Sequence, residues 1–288
     1  MGPKRAELYE SGKLTLDQMV TPDKQFVRTL EDLGVKKETP ESPKIETTEE
    51  KVERIKSEIG TKYQAFNPQD YNEIDEECGR IADDFIKGKT ETEIWTAKKY
   101  TLYGDQAVNA FIRDLDSDPS KIKKKSKATK ANQEYIKGVA GIDDIVKYKQ
   151  DLTDLFDKYK TDRNYITYRG VNDNNMLGGT VPPVGKEVTI DGFSSSSISA
   201  RVGYNFSKTH PPIVYRILIP KGSSVLPLCG KNGDTTLTHL TSEKELLLKN
   251  KARVLCIESK TADAKEIGLS GKGKIELITL LLIDGNER

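Results

Sequence analysis

The hydrophobic pattern of this chain changes period near residue 164, and that change constrains the fold more than any other feature. Before it, apolar residues recur at helical spacing. Ile74, Cys78, Ile81 and Phe85 fall three and four apart and mark one buried helix face. Trp95, Tyr100, Ala107, Phe111 and Ile112 belong to a second helical region, broken near Gly104. Val139, Ile142, Ile145, Val146, Leu152, Leu155 and Phe156 supply one or two more helices. After it come short β-rich runs: NYITYRG, EVTIDGF, PPIVYRILIP, SSVLPLC, KELLLK, ARVLCIE and KIELITLLLID. Glycine and proline punctuate them, and most are too short for helices. IVYRILI alternates as a half-buried strand would. One helix is expected among the strands, at about 198–208. Strands in succession favour antiparallel pairing, and an α+β class over βαβ winding.

Residues 1–60 read as a charged, partly flexible N-terminal segment, with Lys36–Glu50 as a solvated linker. Residues 61–288 read as one domain, helical over 61–160 and a β-sandwich over 161–288. Between the helices lies KIKKKSKATK (121–130), with six lysines and no acid: a solvated loop, or a basic patch for RNA. The whole chain, with 46 basic and 45 acidic residues, has no global pull toward nucleic acid or an anionic membrane surface. No apolar run approaches 18 residues, so no membrane-spanning helix is expected. The opening MGPKRAELYESGK lacks the apolar core of a secretory signal, and a cytoplasmic site of action is expected. Cys78, Cys229 and Cys256 are far apart without a CxxC pair, which disfavours a disulfide framework and a structural zinc site; no metal is expected.

Three features of the β-rich half carry possible chemistry. Arg169, in YITYRGV, ends a strand; there it reaches solvent or presents a planar fork of donors suited to a diphosphate. GFSSSSI (192–198) is a flexible serine loop, a helix cap, or a set of hydroxyls that orient a neighbouring carboxylate. In SEKELLLKNKARVLCIE (242–258), Glu243 and Glu245 stand two apart, which in a strand puts both carboxylates on one face. Such a pair is a solvated edge or, since like charges on one face disfavour each other, a functional site.

The order arginine, aromatic-x-Ser-x-Ser, then Glu-x-Glu resembles the R-S-E class of ADP-ribosyltransferases, in particular the toxin-like and phage-type enzymes that modify arginine. YRGV resembles their arginine strand, FSSSS their serine motif with Ser196 in place of threonine, and EKELLL their glutamate strand. YTLYGDQAVNAFIR (100–113) resembles the helix that leads into their NAD site. The likeness covers about residues 70–285. It implies a helical N-terminal subdomain followed by two packed, mainly antiparallel sheets, with NAD as co-substrate in the cleft between them. It implies that Arg169 holds the diphosphate and the Gly170 backbone binds the nicotinamide amide. Ser195 fixes Glu245, Glu245 bonds the 2′-hydroxyl of the nicotinamide ribose, and Phe206 packs on the nicotinamide. Tyr100 and Asn109 line the adenine side, and Arg113 adds a phosphate contact. Glu243 implies an arginine acceptor, on a host protein in the host cell cytoplasm.

The residue types suit the chemistry. Breaking the nicotinamide–ribose bond leaves an oxocarbenium-like sugar, the same demand that glycosidases meet with carboxylates. A guanidinium with a pKa above about 12 is a poor nucleophile until a base such as Glu243 orients it and takes its proton. The chain departs from the family in CGKNGDTTLTHLTS (229–242), which lacks the substrate-touching aromatic of many relatives; Leu237 or His239 would substitute. No GxGxxG or Walker pattern occurs, and GTVPPVG (179–185) is too proline-rich to cradle a phosphate, so a Rossmann site is not expected. Two further readings stay open: an NAD glycohydrolase with water as acceptor, and a non-catalytic NAD-binding protein on the same scaffold.

Overall fold

The computed structural model describes residues 46–283 except 64, 106–107, 110–111 and 113–141. Arg113, the lysine run at 121–130, Ala107, Phe111, Val139 and most of the N-terminal segment therefore lie outside the described residues. Residues 47–288 cluster as one compact unit.

That unit opens with helix α1 (Thr48–Glu58), where Thr47 and Glu50 form a reciprocal capping box that satisfies otherwise orphaned N–H groups. Thr48–Glu50 thus make the first helical turn, although their charge reads as the end of a linker. Val52 and Ile55 are buried against the sheet. Helix α2 (Tyr71–Ile86) buries Ile74, Cys78, Ile81 and Phe85, the face that the spacing predicts. Helix α3 (Glu91–Lys99) carries a second capping box, Thr90 with Glu93. It does not break at Gly104. It widens into a π turn, Tyr100–Gly104, after which Asp105 is again helical. Trp95 is 54% exposed and takes no part in the core. Helix α4 (Ile142–Asp157) buries Ile145, Leu152, Leu155 and Phe156. Among the described residues no helix is long and apolar enough to cross a membrane.

The β-rich half forms β1 (Tyr165–Val171), β2 (Glu187–Ile190), β3 (Ser194–Ser197), helix α5 (Ala200–Phe206), β4 (Ile213–Ile219), β5 (Val225–Leu228), β6 (Glu245–Leu248), β7 (Ala252–Asp263) and β8 (Lys274–Leu282). The class is α+β, as expected, but the strands do not form two separate sheets. They join into one eight-stranded sheet of order β2-β7-β8-β4-β1-β3-β6-β5. Every pairing is antiparallel except β4 with β8.

The join is narrow. β1 pairs with β4 along its whole length, from Tyr165–Ile219 to Val171–Ile213. It meets β3 only at Tyr168–Ser197. Past Tyr168 the sheet therefore splits, and the end of β1 faces β3 without a continuous ladder. The two halves share one large core, to which β4 contributes Tyr215, Ile217 and Ile219 and β6 contributes Leu246, Leu247 and Leu248.

IVYRILI is not half-buried. Val214 and Leu218 on its other face belong to a second core with Val52 and Ile55 of α1 and Ala200 of α5. Arg216, also on that face, is buried and donates to Thr279 Oγ1 and Glu258.

Two glycines set how closely α5 approaches the split. A Cβ on Gly203 would lie 2.5 Å from Tyr168 Cβ and 2.8 Å from the Tyr168 backbone, and one on Gly170 would strike Gly203 O and come within 2.5 Å of Ser207 N. Neither glycine has positive φ, so space and not backbone conformation demands the missing side chain. Gly203→Ala is expected to destabilise the fold by about 1–3 kcal/mol, the usual range for overpacking a core. Urea denaturation measures it, and an unshifted midpoint would show that α5 moves away freely.

Candidate active site

The split opens a cleft of ≈ 340 Å³ lined by Arg169 and Gly170 of β1, Ser195–Ser197 of β3, Phe206 at the end of α5, Leu240, Glu243 and Glu245 beside β6, and Tyr100, Thr101, Leu102 and Asp105 at the π turn. That volume is at the lower end of the roughly 300–1,000 Å³ of small-molecule sites. Three chain segments, far apart in sequence, thus deliver Arg169, Ser195 and the pair Glu243 and Glu245 to one place.

The serine run is a strand, and each hydroxyl has a partner. Ser194 Oγ lies 2.9 Å from Met176 Sδ. Ser195 hydrogen-bonds the Glu245 carboxylate and the Tyr100 hydroxyl. Ser196 donates to Leu246 O at 3.1 Å, and Ser197 to Glu243 O at 2.6 Å. Ser199 caps α5 by accepting from Val202 N. Hydroxyls that would be wasted in a flexible loop here tie β3 to β6 and to the turn before it.

Register explains how Ser195 reaches its partner. β3 and β6 are antiparallel, with Ser197 opposite Glu245 and Ser195 opposite Leu247. Directly opposed residues share a face, and diagonal neighbours on that face are within reach of long side chains. Ser195 is the diagonal neighbour of Glu245. Across the split, the Arg169 guanidinium donates to Ser195 O, which fastens the end of β1 to β3 where the ladder is missing.

Glu245 is 5% exposed, and its Oε1 has no hydrogen-bond partner. Burial pushes its carboxyl up to about 8, assisted by the charges of Glu243 and Asp105 and opposed by the Ser195 hydrogen bond and Arg169. A buried carboxylate oxygen left without a partner in a cleft is costly unless a ligand satisfies it.

Glu243 does not share a strand face with Glu245. It ends the 3-10 turn Thr241–Glu243, and Lys244 follows in the left-handed region at φ 51°. The turn still points both carboxylates into the cleft while sending the Lys244 side chain the other way, where it is buried against Asp75 of α2 and donates to Gly230 O at 3.2 Å. Asp75 also accepts from Asn232 N at 2.9 Å, so α2 anchors both ends of the loop that precedes Glu243. Burial raises the Glu243 carboxyl, with Asp105 adding to the effect.

Of the residues the sequence singles out, Arg169, Gly170, Ser195, Phe206, Tyr100, Glu243 and Glu245 line the cleft. Phe206 is 51% exposed there. Asn109 does not line it. Its amide donates to Tyr100 Oη and Phe193 O, both at 3.1 Å, and its carbonyl accepts from Phe193 N at 2.7 Å, so it braces the residue before β3. Arg113 is outside the described residues. Neither suggested stand-in for the loop aromatic reaches the site: Leu237 is buried in the core, and His239 donates its backbone N–H to Thr101 Oγ1 at 3.0 Å. Leu240, 44% exposed, lines the cleft instead. Asp105 and Thr101 also line the cleft, and no sequence pattern points to either; the π turn brings Asp105 to the side of Tyr100. Among the described residues no group of three or more His, Cys, Asp or Glu side chains could hold a metal ion.

No protein-family model matches the chain, and no curated protein matches it. Solved structures do. Plx2a, an ADP-ribosyltransferase toxin from Paenibacillus larvae, matches with a TM-score of 0.51 at 14% identity, over 76% of this chain and 98% of that one. BECa, the ADP-ribosylating toxin of a binary enterotoxin of C. perfringens, solved with NADH, matches with a TM-score of 0.50 at 15% identity, over 74% of this chain and 48% of that one. The chain has the fold of the ADP-ribosyltransferase toxins.

Proposed function

We propose that this protein transfers ADP-ribose from NAD to an arginine of a target protein in a host cell, releasing nicotinamide. The observation that carries the reading is the Glu245 carboxylate: buried in the cleft, held by Ser195 on one side, and with Oε1 open for a partner. That oxygen fits the 2′-hydroxyl of the nicotinamide ribose.

NAD brings the bond to be broken, between nicotinamide nitrogen and ribose carbon. Arg169 holds the diphosphate through its fork of donors. Gly170, which has no side chain in the way, offers its backbone to the nicotinamide amide, and the half-exposed ring of Phe206 packs against the nicotinamide. Ser195 keeps Glu245 in one rotamer. Glu245 then faces the positive charge that develops on the ribose as nicotinamide leaves with the bonding electrons, and it need not reorganise to do so. Glu243 orients the incoming guanidinium and accepts the proton it loses when nitrogen bonds to the ribose carbon. A raised carboxyl suits that task, since a stronger base takes the proton more readily. Tyr100 and Asn109 support the wall behind Ser195.

Isothermal calorimetry with NAD tests the binding half of this scheme. Arg169→Ala is expected to weaken NAD binding at least about tenfold, since charge-assisted hydrogen bonds contribute roughly 1.5–3 kcal/mol. Equal affinity in the variant would remove Arg169 from the diphosphate site.

A further inference from the structure

Lys244 stands between the two glutamates, and two features set it apart. Among the described residues only Lys244 and Lys251 combine a side chain with positive φ, a conformation that a Cβ disfavours. The Lys244 side chain is also 9% exposed, and lysine is rarely buried unless paired. A disfavoured backbone of this kind persists where its surroundings over-determine it.

Those surroundings are specific. Lys244 Nζ donates to the Asp75 carboxylate and to Gly230 O. Burial alone would raise the Asp75 carboxyl, but the hydrogen bonds from Lys244 and Asn232 N, with the Lys244 charge, hold it below its ordinary value. Asp75, Cys78 and Gly79 share one face of α2. Along that face Cys78 O accepts from Cys229 Sγ at 3.8 Å. A Cβ on Gly79 would lie 2.6 Å from Lys231 Cγ, so the missing side chain leaves room for the lysine stem. One helix face thus docks the turn 229–232, and Lys244 reaches into the same dock from the cleft side. Ile74, Cys78 and Ile81 lock α2 into the core, which makes it a rigid base.

The two glutamates are held differently. Glu245 is paired on both sides, with Ser197 of β3 and Leu228 of β5. Glu243 lies outside that ladder, so its direction relative to Glu245 depends on the backbone at Lys244. Ser197 Oγ and Ile198 N hold the carbonyls of Glu243 and Lys244 against β3. The ion pair adds the side-chain direction, toward α2, that accompanies positive φ at Lys244. Without it Glu245 stays in the sheet and Glu243 swings.

We infer that Lys244 and Asp75 are positioning residues, whose buried ion pair fixes the turn so that Glu243 meets the acceptor beside Glu245. This rests on the arginine-transfer reading above. Neither residue lines the cleft, so both act through Glu243.

The test uses the full chain with saturating NAD and agmatine, a small alkyl guanidine, and follows ADP-ribosyl-agmatine and free ADP-ribose. Lys244→Met keeps the stem and removes the charge. Its kcat for transfer is expected to fall roughly tenfold to a hundredfold, the scale of a misplaced reacting group. Hydrolysis and the KM for NAD should change far less, because Glu245 keeps its place. Lys244→Arg, which retains charge and donors, should restore part of the transfer. Removing one partner of a buried pair can unfold a chain, so the double variant Lys244→Met with Asp75→Asn, which leaves no unpaired charge, is measured too. Once folded it should show the same fall in the ratio of transfer to hydrolysis and no further fall, since the two residues act as a unit. A wild-type ratio in the folded double variant, or transfer and hydrolysis falling in parallel, would overturn the assignment. A wild-type chain that hydrolyses NAD but never modifies a guanidine would instead overturn the arginine-transfer reading, and this role with it.

Discussion

Glu245→Gln is expected to lower NAD turnover, by transfer and by hydrolysis alike, on the order of 10²–10³-fold, the scale on which removal of a preorganised charge-stabilising group acts. The amide keeps the size of the side chain and an acceptor for Ser195, but not the negative charge. The pH profile gives the same argument a second readout. With the wild-type carboxyl pushed up to about 8, kcat/KM for NAD should climb with pH toward a plateau above that value, and the variant should lose this limb.

Stability should move the opposite way. An unfolded-state glutamate titrates at about 4.3, so between about pH 4.3 and 8 the folded state keeps a proton that the unfolded state has released. Stability therefore falls as pH rises through that window. Glu245→Gln removes the effect, so its Tm should exceed the wild type's by more at pH 8 than at pH 4. Each kcal/mol gained should raise Tm by about 2–4 °C in a protein of this size. A variant with wild-type turnover, or one less stable than wild type at pH 8, contradicts the role given to this side chain.

Glu243→Gln should separate the two halves of the reaction. Transfer to a guanidine should fall by about 10²–10⁴-fold, the usual contribution of a positioned proton acceptor. Release of nicotinamide into water should fall far less, because Glu245, Ser195 and Arg169 remain in place. The structure adds a reason for selectivity: Ser197 holds the turn through the Glu243 carbonyl, not its side chain, so the substitution leaves that anchor intact. Measuring ADP-ribosylated agmatine and nicotinamide in one reaction gives both rates. Equal losses would mean that Glu243 serves the first bond-breaking step and not the acceptor.

Much of this fold is legible in the sequence. Helical spacing marks the buried face of α2, and the β-rich runs after residue 164 mark seven of the eight strands. The eighth, Ser194–Ser197, has no apolar alternation and poor strand propensity; pairing with β6 and four satisfied hydroxyls make it a strand, and none of that is local. The single eight-stranded sheet was illegible for a related reason. Strand propensity does not say whether β1 and β3 touch at one residue pair or none, and here one pair, Tyr168–Ser197, decides between one sheet and two.

In the cleft, residue order and types identify Arg169, Ser195, Glu243 and Glu245, but not how they meet. A two-residue spacing suggests a shared strand face, whereas a 3-10 turn and a left-handed Lys244 bring the glutamates together. Asp105 was hidden because a period of 3.6 points it away from Tyr100, and only the π turn reverses that. Nothing in the sequence separates Leu240 from Leu237 and His239, since no pattern in a short irregular loop tells which side chain turns inward.

The most direct test of the account is to incubate the wild-type protein with labelled NAD and agmatine and to determine the products by mass spectrometry. The account predicts nicotinamide together with ADP-ribosyl-agmatine, the ADP-ribose bonded to guanidine nitrogen and the transferred share rising with agmatine concentration. Nicotinamide accompanied only by free ADP-ribose, at any agmatine concentration, would contradict arginine transfer and make water the acceptor.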